Sequence, residues 1–204
     1  MKTLSPTERK NREALRRMEL CRQTKAPILD LSHSGIEQVP KELASFTWLT
    51  RLDLSHNRLT GIPEFLGNLA GLTRLDLSYN KSPDGLEAVR TLPESLGNLN
   101  KLTHLKLRHL SLESLPGSFK KLARLVHLDL GLNYLTVTPD CFHQFSLLEY
   151  LDLESNSFEE LPECIGQFGK LTHLNIGAMG LRKLPDSIGN MRNLAWLDMG
   201  HNHL

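Results

Sequence analysis

Seven of the nine histidines in this 204-residue chain recur at matching offsets: His33, His56, His104, His109, His127, His173 and His201. Aspartates recur beside them, at Asp30, Asp53, Asp76, Asp129, Asp152 and Asp198. Imidazole and carboxylate together are the material of zinc ligation and of proton exchange near neutral pH. His104 with His127, and His33 with His56, are the pairs that the spacing makes neighbours. A zinc site is one chemistry open to them. A partner contact whose strength changes between about pH 5.5 and 7.5 is another. Repetition offers a plainer account, because copied units set identical residues side by side without any metal. The chain contains no HExxH, no GxxxxGK[ST] phosphate loop and no GxSxG elbow, and His201-Asn202-His203 is three letters inside a repeat. No cofactor is called for, and the chain is expected not to be an enzyme.

What positions these side chains is a period. "LTRLDLSHN" (49–57), "LTRLDLSYN" (72–80), "LTHLKLRHL" (102–110), "LVHLDLGLN" (125–133), "LEYLDLESN" (148–156), "LTHLNIGAM" (171–179) and "LAWLDMGHN" (194–202) share one frame, after a degenerate first copy "APILDLSHS" (26–34). The step is 23 residues, except for 30 between Leu75 and Leu105, where seven extra residues lie within "KSPDGLEAVRT" (81–91). A period of this length predicts a solenoid, in which each unit buries its apolar face against its neighbours. In residues 49–71, Leu52 and Leu54 alternate with Arg51, Asp53 and Ser55, the pattern of a strand with one buried face. The amide of Asn57 is expected to bond the backbone of adjoining turns. Pro63 opens the return path, and Leu66 and Leu69 turn back to the core. Each such buried side chain contributes about 1.5–3 kcal/mol.

The pattern LxxLxLxxNxLxxLPxxLGNLxxL, clearest in "LPESLGNLNKL" (92–102) and "LPDSIGNMRNL" (184–194), resembles leucine-rich repeats. The 23-residue length and the proline are similar to the intracellular type found in Ras-suppressor and plant intracellular Ras-group-related proteins. The resemblance implies an α/β fold: a curved horseshoe with a parallel sheet on its concave face and 3₁₀ or irregular segments outside. It also implies a protein partner, with a small Ras-like GTPase or a signalling kinase or phosphatase as the class, and a scaffold or adaptor role in signal transduction.

The exposed columns of that sheet supply the candidate contact residues. One runs Ile28, Arg51, Arg74, His104, His127, Tyr150, His173, Trp196. The next runs Asp30, Asp53, Asp76, Lys106, Asp129, Asp152, Asn175, Asp198. Tyr79, Arg108 and His109 extend the set at the strand ends. Aromatic and arginine side chains on an open surface are the usual anchors of protein interfaces. The aspartates are either repeat consensus or an acidic stripe for a basic partner. Their mutual repulsion should hinder ionisation, with Arg51 and Arg74 relieving it at Asp53 and Asp76. The insertion, with the turn signal Pro83-Asp84-Gly85, is expected to overhang Arg74, Tyr79, Lys106, Arg108 and His109. On that reading Tyr79→Ala and Arg108→Ala cut affinity and leave melting unchanged. The fourth copy breaks the pattern twice, with Lys106 for the aspartate and Leu110 for the asparagine. Met179 replaces the asparagine in the seventh.

Residues 1–25 form a segment apart. They hold eight Lys/Arg against three Glu, so they carry +5 of a net +1 and leave −4 for the rest. Ser5-Pro6-Thr7-Glu8 has the features of a helix start. Ala14, Leu15, Met18 and Cys21 then follow on one face of a helix expected over residues 6–23, capping the first coil, with Leu20 on the wrong side. Three interrupting glutamates and the lack of aromatics argue for a solvated cap face over an RNA- or lipid-binding one. Residues 26–204 form the repeat domain, of eight repeats with the last incomplete. That ending at Leu204 suggests a fragment, the recognition arm of a larger GTPase, ubiquitin ligase, kinase or receptor. The other expectations are a monomer, or a dimer through the uncapped end. The start has no signal-peptide run, no apolar stretch spans a bilayer, and Cys21, Cys141 and Cys164 are too few for a disulfide framework, so a cytoplasmic protein is expected. Cys141 and Cys164 occupy equal positions on adjacent coils. Asn80-Lys81-Ser82 is formally a glycosylation acceptor, discounted because Asn80 falls inside a coil.

Overall fold

The computed structural model describes residues 6–80, 89–136 and 144–204. Ser5, most of the insertion (81–88), Cys141 and the return-path Phe142 lie outside the described residues.

Eight three-residue strands form one open parallel sheet in sequence order: β1 Ile28–Asp30, β2 Arg51–Asp53, β3 Arg74–Asp76, β4 His104–Lys106, β5 His127–Asp129, β6 Tyr150–Asp152, β7 His173–Asn175 and β8 Trp196–Asp198. The register is constant. Leu52 pairs with Leu75, Leu75 with Leu105 and Leu105 with Leu128, and all four are buried. The longer step between β3 and β4 leaves the register intact, because the extra chain is inserted outside the strands. This is the solenoid that the period predicts, with the parallel sheet that the resemblance to leucine-rich repeats implies.

The turn after each strand follows from one asparagine. The Asn57 side chain donates to the carbonyls of Leu54 in its own coil and Leu31 in the preceding one, and accepts from the N–H groups of Ser34 and Ile36. Asn133 does the same between its coil and the one before. Buried backbone groups that no strand can pair are thereby satisfied. Asn80 belongs to the same ladder and is fully buried, so it is no glycosylation site. Leu110 and Met179 hold the same place as buried apolar side chains. The residue before this position is left-handed in all eight coils, from His33 at φ 55° to His201 at φ 56°, with Leu132 and Ala178 among them. Tertiary packing therefore overrides a local preference that only some of these residue types share.

The return path is a short 3₁₀ turn after Pro40, Pro63, Pro93, Pro116, Pro162 and Pro185, as in Glu64–Asn68 and Glu94–Asn98. The proline carbonyl accepts the N–H three residues on, for example Leu66 to Pro63. Coils approach so closely here that a Cβ on Gly67 would lie 2.2 Å from the Ser95 carbonyl oxygen. Glu94 reaches the next coil and accepts from the N–H groups of Gly117 and Ser118 at 3.0 and 2.9 Å. Leu66, Leu96, Phe119 and Ile165 stack on one row and Leu69, Leu99, Leu122 and Phe145 on the other, all buried.

The α-helix α1 (Pro6–Thr24) covers the β1 end. Ala14, Met18 and Cys21 are buried beneath it, whereas Leu15 is 61% exposed and belongs to the solvent face, contrary to the expected stripe. Leu20 is exposed as well. The joint is sewn by polar contacts: Arg17 donates to the Asp30 carbonyl at 3.3 Å and the Trp48 indole to that of Ala26 at 3.1 Å, with the Lys25 ammonium 3.7 Å above the Trp48 ring. No helix among the described residues is long and apolar enough to cross a membrane.

Candidate protein-binding surface

The aspartate column has a local cause. Asp30, Asp53, Asp76, Asp129, Asp152 and Asp198 each accept, through Oδ1, the N–H of the residue two positions on, at 2.8–3.0 Å. Asn175 makes the same bond to Gly177 at 3.1 Å. These are Asx turns that end the strand and steer the chain into its left-handed residue. Consensus is the better account of the column, and its reason is backbone satisfaction. Arg51 and Arg74 do not relieve the aspartates as expected: neither guanidinium makes an ion pair or hydrogen bond among the described residues, while Lys106 comes 4.0 Å from Asp76. A serine N–H serves Asp53 and Asp76 instead.

Lys106 is the exception in the column, and the neighbouring Arg108 is the consequence. The Arg108 guanidinium crosses two coils. It donates to Asp152 at 3.1 Å, lies 3.7 Å from Asp129 and bonds Glu154. Gly131 makes the crossing possible, since a Cβ there would sit 2.2 Å from Arg108 Nη1. Asp152 is 5% exposed, and its Oδ2 also accepts from Asn175 at 3.2 Å and Tyr150 at 3.4 Å. Arg108 is thus a structural cation, with its side chain 19% exposed. The expectation that its removal leaves melting unchanged is corrected by this network. Gly131 and Glu154 were not singled out from sequence. The column order Arg108, Gly131, Glu154, two residues past the ends of adjacent strands, held the signal.

Electrostatics follow the burial. Burial and then the charge of Asp152 push the Asp129 carboxyl up to about 6, against the Gly131 N–H and Arg108. Burial raises Asp152 too. Tyr150 rises to about 12 through burial and the two carboxylates. Burial, then Lys106, His104 and Arg74, hold His127 down to about 4. His127 is therefore neutral across the range in which the concave histidines were expected to titrate. His104 is lowered as well, by burial first and then by Arg74, Arg51 and Lys106.

The aromatic side chains form two ladders. His33 stacks on His56 with ring centroids 4.3 Å apart, and His56 on Tyr79 at 4.6 Å; Tyr79 meets His109 edge-on at 5.6 Å. Along the strands, His104, His127, Tyr150, His173 and Trp196 follow one another at 5.7, 4.1, 6.1 and 6.2 Å. Such stacks order side chains that would otherwise lose rotamer freedom on binding. No three His, Cys, Asp or Glu side chains converge as a metal site among the described residues. Over β2–β4 lies a shallow hollow of about 220 Å³, lined by Arg51, Asp53, Arg74, Asp76, His104 and Lys106 above Leu52 and Leu75.

Residues 26–81 and 100–158, together more than half of the chain, match the leucine rich repeat family. The chain belongs to the leucine-rich repeat family. No curated protein matches it. Among solved structures, this leucine-rich repeat chain is similar to a leucine-rich repeat protein of Leptospira interrogans, at 25% identity and a TM-score of 0.77 over 91% of this chain and 52% of that one. An internalin, InlF, of Listeria monocytogenes gives 21% identity and a TM-score of 0.73 over 90% of this chain and 50% of its own. Internalin C2 of the same organism gives 20% and 0.74, over 87% and 72%. The chain spans about half the length of the first two.

Proposed function

We propose that this chain is a non-catalytic protein-binding module that works through the concave face of its sheet. What carries the reading is the row of stacked, outward-facing aromatic and arginine side chains on strands held in constant register. Rigid aromatic anchors on a preorganised backbone contribute affinity at low entropic cost. Arg51, Arg74, Tyr79, His104, Lys106, His173 and Trp196 are the contact residues of this proposal. Arg108, Asp129 and Asp152 shape the surface from beneath. By the repeat type, the partner class is a small Ras-like GTPase or a signalling kinase or phosphatase, met in the cytoplasm. A scaffold role in signalling follows from that assignment.

The test is affinity capture from the source cytosol with the intact chain and with two variants. One carries Arg51→Ala and Arg74→Ala, the other His173→Ala and Trp196→Ala. The expected result is one prominent partner whose recovery falls about tenfold or more with at least one variant while melting is unchanged, as for loss of interface hot spots. Equal recovery with both variants overturns the concave face as the contact.

A further inference from the structure

We propose that the hollow over β2, β3 and β4 docks an acidic segment of the protein partner, whose carboxylates pair with Arg51 and Arg74. This deepens the concave-face reading and rests on it. The two arginines sit opposite each other on neighbouring strands, and His104 continues their row. Neither guanidinium has a hydrogen-bond or ion-pair partner among the described residues, unlike Arg108 one strand further on. A guanidinium offers a planar fork that a carboxylate fills with two parallel hydrogen bonds. Lys106 adds a third cation at the far side of the hollow. Burial is the main reason that His104 holds its proton less tightly than usual, and Arg74, Arg51 and Lys106 add to it.

The occupant's chemistry follows from what surrounds the arginines. Asp53 and Asp76 line the hollow one column away, and each has Oδ1 committed to a serine N–H. They leave the arginine row clear for individual carboxylates, but would repel the continuous charge of a nucleic-acid backbone or an anionic bilayer. The net charge of +1 gives no long-range pull towards either. In an extended segment, alternate side chains share one side about 6.8 Å apart, and long arginine side chains rooted on strands about 4.8 Å apart can meet two of them. Acidic residues at alternate positions are therefore the pattern that fits.

The probe is a fluorescein-labelled Glu-Gly decapeptide of alternating sequence, with a Gln-Gly decapeptide as control, measured by anisotropy in low salt. The Glu peptide is expected to bind at least about tenfold tighter than the Gln peptide, and to weaken as salt rises from about 50 to 300 mM. Arg51→Ala with Arg74→Ala should abolish that difference with melting unchanged, while Lys170→Ala, an exposed cation on the return path, leaves it intact. Asp53→Asn with Asp76→Asn keeps the side-chain oxygens that accept the Ser55 and Ser78 N–H groups, removes the flanking charge and should tighten the peptide. Equal binding of the two peptides, or binding that survives loss of both arginines, overturns the proposal. So does tighter arginine-dependent binding of oligo-dT or of phosphatidylserine vesicles. The broader reading fails separately: natural-partner capture indifferent to both the arginine and the His173/Trp196 variants sinks the concave face. Capture that needs only His173 and Trp196 sinks the acidic segment alone.

Discussion

Two neighbouring stretches of one sheet hold similar charges and use them in opposite ways. Over β2 and β3, Arg51 and Arg74 point outward with no bonded partner among the described residues, and the aspartates beside them serve the backbone. Over β4–β6, Arg108 is spent on Asp129, Asp152 and Glu154. The switch falls at the fourth coil, where Lys106 takes the aspartate's place and so leaves Arg108 without the Asx turn that its counterparts Ser55 and Ser78 receive. Charged residues of one type on one face therefore divide into those paired within the chain and those left open to solvent, and the proposed contact uses the second kind. A guanidinium free of internal partners brings its full hydrogen-bonding capacity to a ligand, whereas a satisfied one must first be pulled from its carboxylates.

The largest expected effect breaks the scaffold side. Arg108→Ala leaves three carboxylates facing each other, two of them buried or nearly so. It should destabilise the fold by about 2–3 kcal/mol in urea unfolding, short of the full cost of breaking a wholly buried pair because Glu154 is a third exposed. Arg51→Ala with Arg74→Ala, in the same assay, should change stability by less than about 0.5 kcal/mol. Gly131→Ala makes the contrast sharper. Its Cβ displaces the guanidinium, so it should cost about 1–2 kcal/mol alone and much less when Arg108 is already alanine. Additive losses in that cycle would mean that Arg108 does not depend on the gap at Gly131.

A smaller effect separates two titrations inside the scaffold. Asp129 is pushed up to about 6 in the fold, so the folded state holds its proton longer than the unfolded one, and this contribution to stability is lost as pH rises from 3.8 towards 6. His127 is held down to about 4 against 6.5, so the unfolded state binds the proton first, and its contribution is lost as pH falls through that interval. The two slopes oppose and largely cancel in the native chain. Asp129→Asn, which keeps an acceptor for the Gly131 N–H, should expose the histidine slope, with stability rising by about 1–2 kcal/mol from pH 4 to 6.5. His127→Gln should expose the reverse slope. Two flat profiles would show that neither group is held away from its ordinary value.

The architecture was legible because it is periodic. A leucine spaced 23 residues from its copy can bury itself only by stacking, and that same spacing named the strands, the asparagine ladder and the exposed columns in advance. Interactions that skip a coil were illegible. Arg108 reaches Asp152 and Glu154, 44 and 46 residues away, through a space defined by one missing Cβ, and no column read singly reports that. Leu15 misled for a related reason. The helical period allowed it on the buried stripe, but Ala14, Met18 and Cys21 form a narrow buried stripe and Leu15 falls beyond its edge. Seven clustered histidines suggested a shared titration, yet burial removes His127 from the neutral range.

The smallest effect concerns the aspartates on the contact side, where charge and hydrogen bonding can be separated. Asp76→Asn keeps an Oδ1 that accepts the Ser78 N–H and removes the charge, so stability should move by less than about 0.5 kcal/mol. Asp76→Ala removes the acceptor as well, leaves that N–H without its bond, and should cost about 1 kcal/mol. Thermal melts of the two variants compare them directly. If asparagine costs as much as alanine, the carboxylate charge holds this turn, through Lys106 at 4.0 Å. The contact side would then share the electrostatic logic of the Arg108 cluster, and the two regions would differ in degree alone.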